Sequence, residues 1–302
     1  MAEQGKGWSK YTANLVIRGL LRLALLLPYR LRVPMVGGLM SHLISPLVGY
    51  TKRIRANLDY TCPELDQKTV ARLCKEVPNN AGRSLIELYS SRQFIQRHRE
   101  TALTGIGVAA LAKAHAEGRP VVLVTGHFGN YDAARVTLIG LGYKIGAVYM
   151  PMNNLFFNAH YEAAMKNMGG SLFARGRSGL RDMVKFLRGG GMTFFVVDQY
   201  MAHGAPLQFF GKPAPTALSA AEMALKYNAL LVPIYGIRAE NGLDFNIQVD
   251  APIEHSDAKT MTQALNDGLE VLVRQHMGQW LWIHRRWKPA RQRTLAAAKI
   301  DP

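Results

Sequence analysis

The sequence predicts an α/β fold: a mostly parallel sheet flanked by helices, preceded by an apolar, basic, helical membrane anchor. Three observations carry this. From residue 119 onward, short β-rich runs (121–124, 145–149, 193–197, 230–235, 245–249) alternate with helical stretches (158–168, 180–188, 218–227, 261–275), the signature of layered strand-helix units. Residues 62–116 repeat apolar side chains at helical spacing. The first 58 residues are both the greasiest and the most basic part of the chain.

Taken in chain order, residues 1–58 hold Lys6, Lys10, Arg18, Arg22, Arg30, Arg32, Lys52, Arg53 and Arg55 against Glu3 alone. Lys10, Arg18 and Arg22 recur at multiples of four and share a helix face. Leu15, Val16, Leu20, Leu23, Ala24 and Leu27 fill the remainder. That is the pattern of an amphipathic helix lying among lipid headgroups, its cations on anionic lipid; an ordinary core helix has the same periodicity. The charge-free stretch 33–50 contains Pro34, Gly37, Gly38 and Pro46, so it reads as a dipping or buried hairpin rather than a span. No secretory signal is visible, since Arg22 splits the apolar run. Residues 59–302 form the second unit. Val70, Leu73, Cys74 and Val77 mark one helix, and Leu85, Ile86, Leu88, Tyr89 and Ile95 another, with Pro78 between them. Cys62 and Cys74 are too few for a disulfide framework or zinc site, which suits a reducing compartment.

Composition narrows the partners. Among 302 residues, 37 Lys and Arg against 21 Asp and Glu leave a net charge of +16, which draws a polyanion: nucleic acid, anionic lipid or an acidic carrier protein. Because the basic N-terminal part is apolar as well, an anionic membrane surface is expected and nucleic acid is not.

The chemistry is concentrated in Thr125-Gly126-His127-Phe128-Gly129-Asn130-Tyr131-Asp132. It lies where an apolar β-branched run gives way to a helical stretch, and sites in parallel sheets collect beyond the carboxyl ends of strands. A carboxylate five positions after His127 can orient the ring and raise its basicity, as a general base requires; no other histidine in the chain has an acid at that offset. Gly126 and Gly129 permit a tight turn and close backbone approach. The same pattern also describes a core histidine with Asp132 acting only as a helix-start charge. No G-x-S-x-G elbow, P-loop, G-x-G-x-x-G or H-E-x-x-H is present, so serine hydrolase, nucleotide, dinucleotide and zinc-hydrolase chemistries lack their residues. No cofactor is expected. A base without a protein nucleophile fits direct acyl transfer to a hydroxyl.

Four motifs in order, Gly126 to Asp132, Asp198-Gln199, Phe209 to Thr216 (FFGKPAPT) and Gln279 to Lys288 (QWLWIHRRWK), together with Arg53 to Leu58 (RIRANL) and Cys62-Pro63-Glu64, resemble the bacterial lipid A biosynthesis (lauroyl/myristoyl) acyltransferase family, within the lysophospholipid acyltransferase-like superfamily. The resemblance implies that His127 is the general base and Asp132 its orienting partner, at a position where most of the family carries Glu. It further implies transfer of a fatty acyl chain from acyl carrier protein, or acyl-CoA, to a hydroxyl of a glycolipid acceptor, a lipid A precursor, at the cytoplasmic face of the bacterial inner membrane. A second departure is Met150, where the family commonly has Arg before the proline at Pro151. Arg175, Arg177 and Arg181 are then candidates for the developing oxyanion or an acceptor phosphate, a solvated basic face being the other reading. Asn130, Asp198 and Gln199 are candidates for substrate binding, and Phe210 and Thr216 for shaping the acyl pocket, with core packing equally open for the phenylalanines. Trp280, Trp282 and Trp287 among His284, Arg285, Arg286 and Lys288 suit a membrane-interface belt; a nucleic-acid stacking patch has the same composition. A lysophospholipid or aminolipid acceptor, and a non-catalytic basic protein of membrane or nucleic-acid surfaces, are the rival readings.

Overall fold

The computed structural model describes residues 7–288. The strands are β1 (Leu103–Thr104), β2 (Val121–Thr125), β3 (Ile145–Tyr149), β4 (Ser171–Ala174), β5 (Met192–Val196), β6 (Ala205–Phe209), β7 (Lys212–Thr216), β8 (Leu230–Arg238) and β9 (Phe245–Val249). Seven of them form one sheet in the order β1-β9-β8-β2-β5-β3-β4, and β6 and β7 form a separate antiparallel hairpin. Every neighbouring pair in the large sheet is parallel except β8 and β9. The expected α/β architecture with a mostly parallel sheet is therefore what the chain adopts.

Residues alternating along β2 separate the two faces. Val121 and Leu123 pack with α7 (Val108–Ala116), α8 (Tyr131–Gly140) and α9 (Leu155–Asn167) through Leu111, Ala133, Val136, Ala164 and Met165. Val122 and Val124 pack with α10 (Arg177–Arg188), α11 (Ser219–Lys226) and α12 (Ala258–Gln275) through Leu187, Ala220, Ala224 and Leu265. Burial on both faces explains why this strand is continuously apolar. The register sets Thr125 opposite Val196, so the chain two residues beyond each strand end emerges side by side, and those residues are His127 and Asp198.

The N-terminal part comprises α1 (Trp8–Leu25), α2 (Tyr29–Leu39), a π-helical turn (Met40–Ile44), α3 (Ser45–Leu47) and α4 (Tyr50–Thr61). Among the described residues no single helix is long and apolar enough to cross a membrane, although the bent pair Tyr29–Leu47 and Tyr50–Thr61 reaches that length and composition together. The expected unit boundary at residue 58 falls inside α4, where Ile54 and Leu58 are fully buried. Asn57 also donates to the carbonyls of Trp282 and His284. Charge and greasiness mark this segment as distinct, yet Ile54 and Leu58 pack with Trp280, Trp282 and Trp287, and Leu21, Ala24 and Val33 pack with Ile86 and Phe157. On its outer face Leu15, Val16, Leu20, Leu23, Leu31, Leu43 and Leu47 are all exposed.

Several features differ from the sequence expectation. Pro78 lies inside α5 (Gln67–Tyr89) rather than dividing it. The helix-breaking cost of about 3 kcal/mol is offset by one uninterrupted buried face from Val70 through Ile86. Strand β4 is only four residues long at the sheet edge, too short for a periodic signal, and the β6-β7 hairpin carries three prolines. Those prolines are accommodated because this two-stranded unit consists of edges alone. The tryptophans of the last motif do not form an interface belt. Trp280, Trp282 and Trp287 are buried against Phe209 and Phe210, with Arg286 fully buried beside them. They fill a core between α4, α5, the hairpin and α12.

Candidate active site

The turn after β2 is held from all sides. His127 N donates to Asp198 Oδ2 at 2.7 Å, Gly129 N to Gln279 O, and Asn130 N to Gly236 O, while Leu281 N donates back to His127 O. Gly129 has φ +52°, and a Cβ there would lie 1.9 Å from Gly236 O, so only glycine closes the turn. Asn130 then caps α8, accepting from Asp132 N, and its amide donates to Glu87 at 2.8 Å. Glu87 is fully buried and holds Arg238 in a two-pronged pair at 2.6 and 2.8 Å. The turn is thereby fixed to α5 and β8 through charge-assisted bonds.

The imidazole is oriented by Asp198. His127 Nδ1 and Asp198 Oδ1 are 2.7 Å apart, and Trp280 Nε1 donates to Asp198 Oδ2 at 2.8 Å. Burial alone raises the Asp198 carboxyl pKa, but the charge and hydrogen bonds of His127, with help from His284, hold it well below the usual carboxylate range. An ionised Asp198 fixes the proton on Nδ1 and leaves the Nε2 lone pair for chemistry. Gln199 Nε2 lies 3.3 Å from His127 Nε2 and 3.4 Å from His284 Nε2. His284 meets the His127 ring edge-on with centroids 4.6 Å apart; burial, then the neighbouring His127, pushes its pKa down to about 4. The second imidazole is therefore neutral near pH 7. Beneath them Arg286 donates to Gln199 O, Pro215 O and Thr216 Oγ1 at 3.1, 2.8 and 2.6 Å. Burial lowers its pKa to about 10, and it makes no ion pair among the described residues, so it remains a cation whose field favours an anionic Asp198.

The expectation that Asp132 orients His127 is not what the geometry gives. Asp132 Oδ1 accepts from Arg135 Nη1 at 2.6 Å, one helical turn along on the same face, and Arg135 goes on to Gly169 O. The position beside the ring is filled by Asp198, which the sheet register delivers and which sequence spacing cannot see. Gln199 does reach the imidazole. Asn130 lies at the site as a capping and positioning side chain. Phe210 is in the tryptophan core and does not line the cavity at His127, and Thr216 serves as an anchor for Arg286. Arg175 follows β4 and Arg177 and Arg181 lie in the first turns of α10, all three exposed; β4 is three strands from β2, or about 14 Å at ordinary strand spacing. They are not gathered with His127. Backbone N–H groups of the turn do not take over the oxyanion role wholesale, because those of residues 127, 129 and 130 are already bonded. The roles of Trp280, His284 and Arg286 emerge only in three dimensions, although the motif containing them is visible in the chain.

A cavity of about 200 Å³ opens at His127. Val77, Ala81, Leu85 and Leu88 of α5 form an apolar wall, with Asn80, Ser84, Asn130, Asp132 and Tyr161 among the polar lining groups. An apolar wall facing the His127 imidazole suits a ligand with an extended apolar part.

The family model for bacterial lipid A biosynthesis acyltransferases matches residues 8–289. A lipid A biosynthesis acyltransferase of Haemophilus influenzae is 22% identical over 260 residues, covering 85% of this chain and 81% of that one. A lipid A biosynthesis lauroyltransferase of Escherichia coli is 23% identical over 279 residues, covering 89% of each, and the myristoyltransferase of the same organism is 21% identical over 182 residues, covering 59% and 56%. With the match running from α1 through the buried tryptophan motif and including the His127 turn, the chain belongs to the bacterial lipid A biosynthesis acyltransferase family and is an acyltransferase.

Proposed function

We propose that the protein transfers a fatty acyl group from the thioester of acyl carrier protein to a hydroxyl of a lipid A precursor, with His127 as general base and Asp198 as its orienting carboxylate. The observation that carries this reading is the 2.7 Å contact between His127 Nδ1 and Asp198 beside a cavity with an apolar wall. His127 Nε2 takes the proton of the acceptor hydroxyl as its oxygen attacks the thioester carbonyl. The imidazolium formed is stabilised by Asp198, and it returns the proton to the departing thiolate as the tetrahedral intermediate collapses to ester. The Gln199 amide is the donor nearest the reactive nitrogen and is suited to the developing oxyanion.

A carrier protein as donor is supported by the exposed cations of α10 and the preceding loop, Arg175, Arg177, Arg181, Lys185 and Arg188, against Asp182 alone. Acyl carrier proteins are acidic, and such a face speeds their encounter. Attachment to a membrane surface, which we place at the cytoplasmic face of the inner membrane as part of this proposal, draws on the exposed apolar side chains of α1 to α3, which suit a helix lying in the headgroup region rather than crossing it. The test is transfer by the purified full chain from acyl-carrier-protein thioester to a lipid A precursor, with mass spectrometry of the product. Formation of the acylated glycolipid, lost in His127→Ala by about 10² to 10⁴ in rate, is expected. An unchanged precursor with a well-folded protein would refute the acceptor.

A further inference from the structure

A second cavity, of about 510 Å³, lies between α5, the π-helical turn and the chain that follows α12. Five of its lining side chains are cations: Arg72, Lys75, Arg83, Arg238 and Arg274. Three are neutralised by carboxylates. Arg72 pairs with Glu76 at 2.9 Å, Arg274 with Glu270 at 2.7 Å, and Arg238 with buried Glu87 at 2.6 Å. Lys75 and Arg83 pair with no carboxylate among the described residues. Arg83 is fixed rather than trailing in solvent: its Nε donates to Asn79 Oδ1 at 2.6 Å and its Nη1 to Gly242 O at 3.1 Å. Burial, then the nearby Arg238 charge, lowers its pKa. Two uncompensated cations, one with a held guanidinium, are the donor set that a phosphate calls for.

The surroundings say where such a phosphate comes from. Ser41 and His42 of the π-helical turn form one wall, and Ser41 is tied to α5 by its bond to Lys75 O. The same continuous helix exposes Leu39, Leu43 and Leu47. An apolar ridge therefore runs beside a polar, cationic hollow, which is the arrangement of acyl chains beside a headgroup. The hollow is also adjacent to the chemistry, since Asn80 and Gln279 line both it and the cavity at His127.

We propose that this second cavity binds a phosphate monoester on the headgroup of a membrane lipid, through Lys75 and Arg83, and so positions a phosphorylated lipid acceptor for His127. As far as the acceptor role goes this rests on the acyl-transfer reading, whereas the phosphate site itself does not. Lys75 and Arg83 are binding residues here, distinct from the arginines of α10.

The experiment is equilibrium binding of dihexanoyl phosphatidic acid to the full-length protein in uncharged detergent, with inorganic phosphate and dihexanoyl phosphatidylcholine as parallel probes. Saturable binding of the phosphatidic acid is expected, weakened about tenfold or more in Lys75→Gln. The side chain of Lys75 is exposed and unpaired, so that variant keeps its fold. Arg83→Gln should weaken binding at least as much and Arg83→Lys only in part; melting curves identify any loss that comes from unfolding. His127→Ala should bind with unchanged affinity, so the phosphate site stands or falls apart from the catalytic assignment. In turnover assays Lys75→Gln should raise KM for a phosphorylated acceptor and leave KM for its dephosphorylated form unchanged. Equal binding of inorganic phosphate, equal binding of phosphatidylcholine, or undiminished binding by folded Lys75→Gln would each overturn the proposal.

Discussion

Replacing Asp198 with Asn separates the dyad that the structure builds from the one that the sequence spacing offers. Two of the three donors on this carboxylate, His127 N and Trp280 Nε1, meet Oδ2, and the third, His127 Nδ1, meets Oδ1. An asparagine keeps its oxygen on the first two and turns its NH₂ toward Nδ1. The ring then accepts at Nδ1 and carries its proton on Nε2, so the lone pair needed for base catalysis is gone. The lost charge adds to this. At about 4 Å between charge centres and an effective dielectric near 20, an imidazolium and a carboxylate attract by roughly 4 kcal/mol, which is about three powers of ten in rate. We therefore expect Asp198→Asn to lower kcat by about 10³ or more, while losing only about 1–2 kcal/mol of stability because each donor keeps a partner. Asp132→Asn should behave oppositely. It leaves the buried Arg135 without its carboxylate, costing about 3–5 kcal/mol of stability, with turnover per folded molecule within about threefold of the parent. Initial rates at saturating donor, normalised to folded protein, together with chemical denaturation, measure both. A stable Asp132→Asn protein with kcat down a thousandfold, alongside an active Asp198→Asn protein, would refute the assignment.

Gly129→Ala forces a Cβ to within 1.9 Å of Gly236 O at a positive φ; a stability loss of at least about 3 kcal/mol should appear as a lowered denaturation midpoint. Trp280→Phe retains most of the ring but removes one of three donors to Asp198; a rate loss of about 3- to 30-fold with the fold retained is expected in the same transfer assay. Arg175, Arg177 and Arg181 together replaced by Ala should leave kcat unchanged while raising KM for an acidic carrier donor and flattening its salt dependence; a collapse of kcat would return these arginines to the catalytic site. Stability should fall on acidification from about pH 6.5 to 4, before most carboxylates titrate. His98 and His284 both have folded pKa values lowered to about 4 by burial, so the unfolded chain binds their protons first, near 6.5, and folding weakens as pH falls through that window. Each contributes a slope of about 1.4 kcal/mol per pH unit, and denaturation midpoints for His98→Gln should show a correspondingly shallower profile.

How much of this was legible in the chain follows from the range of each signal. The β-rich runs and the histidine at the end of the first long one are local, so the sheet and the position of His127 could be read directly, with Gly129 marking the turn that follows. The partner of His127 was not legible because it is set by strand register. Asp198 lies 71 positions away in sequence, whereas Asp132 stands five away and satisfies the same pattern while serving Arg135 instead. The tryptophan motif misled for a related reason. Aromatic and basic residues interleaved at Trp280 to Lys288 have one composition whether they face lipid or core, and only the opposing Phe209-Phe210 pair of the hairpin decides between them. Pro78 shows the same limit in a helix, since its local preference is overridden by a buried face that extends on both sides of it.

The split of the dyad over two parallel strands has a physical consequence for how the site is kept in order. His127 and Asp198 each stand two residues beyond a paired strand end, Thr125 against Val196, so their relative position is set by the backbone of the sheet rather than by loop packing. The third component comes from the far end of the described chain. Trp280 bonds Asp198 while its neighbours Gln279 and Leu281 strap the His127 turn, and Arg286 ties Gln199 to the hairpin. A charge as deeply buried as Asp198 is stable only with such a set of donors, and the field of Arg286 adds to their effect. The aromatic core around Trp280, Trp282 and Trp287 therefore acts on the chemistry through position: it holds the donors that keep Asp198 ionised, and an ionised Asp198 is what keeps the lone pair on His127 Nε2.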